Sequence, residues 1–151
     1  MADASEIPPA RPLIATGPFG PALSAQRVAA AIARGWQAGG RSPADLCPIA
    51  PEDGRGGDLT VLLDTLDFNA RMRRARAVIL GERLLQERTL AGSAAFEIAT
   101  RARQAGVPVY AVTGESTLDP FDARILDLQV IIEASSAKAL EAAGRRLAEL
   151  V

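Results

Sequence analysis

A chain of 151 residues with 48% hydrophobic residues matches the size at which one domain buries roughly 70% of its unfolded surface, so one real core is expected. Its formal charge of −1, from 17 basic and 18 acidic side chains, leaves no excess field for nucleic acid or an anionic membrane. Histidine is absent, Cys47 is the lone cysteine and Lys138 the lone lysine, which excludes Ser-His-Asp and Cys-His catalysis, imidazole metal sites, internal disulfides and thiolate clusters.

Residues 1–11 are polar and proline-bearing and read as a loose lead-in to a single α/β domain over 12–151. Asp3, Glu6, Pro8 and Pro9 give no basic or apolar leader, and no run approaches the ~20 apolar residues of a membrane helix. A soluble cytoplasmic protein is the expectation. Leu13-Ile14-Ala15-Thr16 reads as a buried strand entering the tight loop Gly17-Pro18-Phe19-Gly20-Pro21. Ser24 can cap the next helix, where Val28, Ile32 and Trp36 share a face and Gly39-Gly40 ends the pattern.

Residues 45–49 suggest a second strand, placed at an edge by Pro48, and 51–57 a turn-rich loop. A helix is expected from Asp58, through Leu59, Leu62, Leu63, Leu66, Phe68 and Met72. The arginines at 71, 73, 74 and 76 read as a solvated face completing its end. Residues 77–80 form a compact strand stopped by Gly81-Glu82, followed by a helix from about Thr89 to Gln104 with Gly106 at its C′ position. A strand at 107–112 ends in the polar turn 113–117, a short helix spans 119–126, a last strand covers 128–132, and Ser135 or Ser136 caps a closing helix. Five strands alternating with helices predict a three-layer α/β/α sandwich with a mainly parallel, Rossmann-like sheet. Its core is expected to hold Val28, Ile32, Leu62, Val78, Ile79, Ile98, Val109, Val112, Ile131 and Leu147.

Ligands of open parallel sheets bind beyond the C-terminal strand ends. That rule selects Thr16, Ser24, Asp53, Glu82, Thr89, Thr113, Glu115 and Asp119 with neighbouring glycines. Acids there could hold Mg²⁺ with a phosphate; the plainer reading is that the same residues cap helices. A G-x-x-x-x-G-K-S/T loop is absent, and Pro18 and Pro21 lack the N–H groups that would face a phosphate. A phosphorylatable aspartate does not follow the strand ending at Leu80, which removes the receiver-domain reading.

Phe19, Leu23-Ser24-Ala25, Val28-Ala29, Arg34-Gly35, Pro48-Ile49-Ala50 and Asp53-Gly54, in that order, resemble the opening of the two-domain glycerate kinase family of glycerate 2-kinase type. Val61-Leu62-Leu63-Asp64, Phe68, Arg71, Val78-Ile79-Leu80-Gly81-Glu82, Thr89-Leu90-Ala91-Gly92 and Ala105-Gly106-Val107-Pro108-Val109 continue the resemblance, which covers about residues 12–112. In that family a second domain lies between the early D-G turn and the next helix, whereas here Gly54-Arg55-Gly56-Gly57 joins them directly. The family's D-S-F-K-G-S loop aligns with Gly17 to Ala22, so its acid and lysine are replaced. In the later T-G-E-G-R-L-D loop the aspartate falls on Gln86 and a lysine on Ser93, leaving Gly81, Glu82, Thr89 and Gly92.

The resemblance therefore implies a kinase scaffold that has lost most active-site residues: a non-catalytic or repurposed relative binding a small phosphorylated or carboxylate ligand, a protein partner or its own copy. The alternative is ATP-dependent phosphotransfer to glycerate or a similar acid, with ATP and Mg²⁺ and a partner subunit completing the cleft. The ligand-binding residues expected on either reading are Thr16, Ser24, Asp53, Gly81, Glu82, Thr89, Gly92, Thr113 and Glu115, with no catalytic residue assigned.

Overall fold

The structure, a computed structural model, describes residues 11–41, 43–49, 59–86 and 93–151. Five strands, β1 (Leu13–Thr16), β2 (Asp45–Pro48), β3 (Val78–Leu85), β4 (Val109–Ser116) and β5 (Leu128–Glu133), form one sheet in the order β2-β1-β3-β4-β5. Every neighbouring pair is parallel. Near-continuous apolar runs such as Leu13-Ile14-Ala15 and Val78-Ile79-Leu80 suit strands covered on both faces, and both runs are fully buried.

Because successive strand residues point to opposite faces, one run feeds two cores. Ile14, Ile79, Val112 and Ile132 pack under α1 (Ala25–Ala38) and the closing helix, α6 (Ala137–Leu150). Leu13, Ala15, Val78, Leu80, Val109 and Ala111 pack under α2 (Leu59–Thr65), α3 (Phe68–Arg74) and α4 (Ala94–Ala105). α5 (Pro120–Ile125) lies on the α4 side, where the Arg103 guanidinium donates to the Ile125 carbonyl at 3.1 Å. The sheet thus has helices on both faces, as expected.

Serine and aspartate caps set the helix starts. The side chains of Ser24, Ser93, Asp119 and Ser136 accept backbone N–H bonds from Arg27, Phe96, Asp122 and Ala139. Gly106, at φ 74°, ends α4 in the left-handed conformation. α1 and α6 meet backbone to backbone. A Cβ on Gly35 would lie 1.8 Å from the Glu141 carbonyl oxygen, and one on Gly144 2.1 Å from that of Ile32.

Several boundaries differ from expectation. The helix expected to run from Asp58 past Met72 is two helices, broken at Asp67, whose φ of 55° cannot continue a right-handed turn. β3 does not stop at Gly81-Glu82, and residues 113–116 are strand, not turn, because Glu82 pairs with Thr113, Leu84 with Glu115 and Leu85 with Ser116. The helix expected from Thr89 begins, within the described residues, at Ala94 behind Ser93. Leu62 and Ile131 are only half-buried; their neighbours Leu63 and Ile132 turn inward instead. Pro48 does sit in an edge strand. Arg71 is no solvated end-of-helix charge: it bonds both Asp45 carboxylate oxygens, at 2.7 and 3.0 Å, and the Leu46 carbonyl, tying α3 to β2. That carboxylate bond holds the Arg71 guanidinium above its ordinary pKa.

Candidate functional site

β1 feeds β2 on one side of itself and β3 follows on the other, so the chain changes winding direction between β1 and β3. In doubly wound sheets the ligand crevice lies outside the carboxyl ends of the strands at that reversal. Thr16 ends β1 there and pairs with Gly81 of β3. Gly17 donates its N–H to the Gly81 carbonyl at 3.0 Å, and Ile49 donates to the Thr16 carbonyl at 2.8 Å, so three strands close together at this point. Gly81 is glycine for a steric reason: a Cβ would sit 2.4 Å from Thr16 Cγ2.

Both buried hydroxyls among the described residues are already engaged. Thr16 Oγ1 donates to the Ala25 carbonyl at 3.2 Å, fastening the strand end to the start of α1. Thr113 Oγ1 lies 2.9 Å from the Glu115 carbonyl oxygen and 3.4 Å from that of Arg83, and it accepts the Glu115 N–H at 3.3 Å. Ser24 is a helix cap, as anticipated.

Glu82 follows Gly81 where β1 has ended and, among the described residues, β4 alone remains beside β3. Strand alternation turns it to the sheet face opposite Thr16, alongside its register partner Thr113. Among the described residues no hydrogen bond or ion pair engages its carboxylate. Burial pushes the Glu82 carboxyl above its usual range, with Arg83 pulling weakly the other way. Glu115, exposed and two residues beyond Thr113, aligns with Leu84.

Across three adjacent strands Thr16 and Gly81 are therefore neighbours on one face of the sheet and Glu82 and Thr113 on the other, and Ser24 stands at the start of the helix that follows β1. Glu82 and Glu115 lie inside their strands and cap no helix, contrary to both the loop placement and the capping role considered for them. Asp53, Thr89 and Gly92 lie outside the described residues. Two arginines missed in the sequence flank the reversal: Arg27, whose guanidinium reaches the Ala22 carbonyl at 3.5 Å, and Arg83 beside Glu82. Their spacing from the glycines carried no motif that would have singled them out.

No group of three or more His, Cys, Asp and Glu side chains that could hold a metal occurs among the described residues. Cys47 is buried in β2, and burial raises its thiol pKa, the reverse of an activated nucleophile. A shallow depression of about 180 Å³, lined by Asn69, Met72, Arg73, Arg101 and Gln104, lies on α3 and α4 and includes none of the expected site residues.

The family model described as the glycerate kinase family matches residues 56–151. No curated protein sequence matches this chain significantly. Among solved structures, the putative glycerate kinase 2 from Salmonella typhimurium LT2 is similar at 16% identity and a TM-score of 0.46, over 71% of this chain and 27% of that one. The chain thus spans about a quarter of the length of that structure.

Proposed function

The chain belongs to the glycerate kinase family, and from that premise we propose that it is a non-catalytic member. On this reading a small phosphorylated or carboxylate ligand binds at the C-terminal ends of β1 and β3. The observation that carries the reading is the commitment of the Thr16 and Thr113 hydroxyls to main-chain carbonyls, which leaves neither free to orient a transferring phosphoryl group. Phosphoryl transfer rests on positioning and on neutralising developing charge. Gly17 to Ala22, Gln86 and Ser93 stand where the family pattern has acid and lysine. Arg27 and Arg83 supply positive charge suited to holding an anion, with bidentate geometry available to a phosphate or carboxylate.

Purified protein with ATP, Mg²⁺ and glycerate is expected to release ADP no faster than background in a coupled assay. A thermal-shift series with ADP, glycerate and phosphoglycerate is expected to find a stabilising ligand, worth about 2.7 kcal/mol at a hundredfold excess over Kd. Steady turnover that disappears in Glu82→Gln would replace this reading with ATP-dependent phosphotransfer to glycerate or a similar acid.

A further inference from the structure

The two edges of the sheet are treated differently. At β2 the edge is short and blunted: Pro48 removes one ladder donor, and Asp45 is clamped by Arg71. At the other edge β5, which among the described residues pairs with β4 alone, presents the uncharged, proline-free run Leu128-Gln129-Val130-Ile131-Ile132 before its terminal Glu133, with one register shift against β4 between Val109 and Ala111. Only Ile132 of this strand is buried. The helix leading into it, α5, buries none of its residues, and Phe121 and Ile125 are 66% and 47% exposed. An edge guarded only by that shift and by Glu133, beside exposed large apolar side chains, leaves an apolar surface open to a partner.

We propose that β5 and α5 form a two-fold interface with a second copy of this chain. A two-fold axis normal to the sheet at the β5 edge sets β5 antiparallel to its copy, the only direction in which a strand pairs with itself under closed symmetry. The same operation keeps each face on its own side, so the two α5 helices come to lie side by side and antiparallel on the α4 face. Phe121 and Ile125 of one copy then meet those of the other. The charges agree as well: Asp119 and Asp122 occupy the first half of α5 and Arg124 the second, so the antiparallel pair sets acid against arginine at both ends. Two copies make one continuous sheet and leave the β1 and β3 strand ends, on the far side of β4, unobstructed.

Light scattering on the full chain, with concentrations up to about 100 μM, is expected to show a dimer in dilution-dependent exchange with monomer. A monomer throughout overturns the proposal. Phe121→Glu with Ile125→Glu, at exposed positions, is expected to keep the circular-dichroism spectrum and melting temperature of the monomer while weakening the dimer at least tenfold; a smaller loss overturns it. Arg124→Asp should weaken association, and adding Asp122→Arg should restore it. Failure of the double exchange to restore it overturns the antiparallel arrangement.

Discussion

Glu82 combines a partly buried position, no hydrogen-bond donor among the described residues and a carboxyl pKa pushed upward by burial. A folded-state pKa above the unfolded value means that ionisation costs the folded state. The stability is intact below the ordinary value of 4.5 and is lost as pH rises through the folded pKa. Glu82→Gln removes that loss. Its stability relative to wild type is therefore expected to rise between about pH 4.5 and neutrality in urea titrations at several pH values, and an offset constant with pH would contradict the burial argument. The same residue shows what single positions reveal in a sequence. Thr16, Glu82 and Thr113 were recognisable as polar residues near strand ends, but their partners were not, because a hydroxyl bonds whatever carbonyl the fold delivers. For Thr16 that carbonyl belongs to Ala25, at the start of α1.

Apolar runs placed β1, β3, β4 and β5, while β2, Asp45–Pro48 at the sheet edge, had only a thin apolar signal. Their ends were less legible. Gly81-Glu82-Arg83 has the composition of a turn, yet the ladder to β4 holds it extended, and pairing across strands leaves no local signature. The break at Asp67 was hidden for the opposite reason: apolar spacing runs across it although one residue is left-handed. Contact between α1 and α6 was equally invisible, because Gly35 and Gly144 matter only once the helices touch. In an exposed helix, glycine to alanine gains up to about 1 kcal/mol. Here Gly35→Ala or Gly144→Ala drives a methyl into a carbonyl of the facing helix, so a net loss of about 2 kcal/mol or more is expected by chemical denaturation. A stabilised variant would show that the helices can separate freely.

At the scale of the whole molecule, sheet order is what turns scattered residues into a candidate site: the reversal between β1 and β3 sets Thr16 beside Gly81, from a distant part of the chain. The resemblance carried by Val78 to Glu82 located this region in advance, while Asp53, Thr89 and Gly92 fall outside the described residues. Spacing alone could not give the strand order, because right-handed crossovers permit winding in either direction from β1. The backbone-to-backbone contact of α1 with α6 at Gly35 and Gly144 has a further consequence during synthesis. The first described helix finds its partner in the last, so Val28, Ile32 and Trp36 emerge from the ribosome long before Leu140 and Leu147 arrive to cover them. A chain ending at Glu133 is expected to melt without a cooperative transition and to be cut rapidly by protease, whereas a sharp transition would show that α1 is held by the sheet alone. Until α6 emerges, the nascent chain carries an uncovered apolar helix face, and this is the interval in which a chaperone would have something to hold.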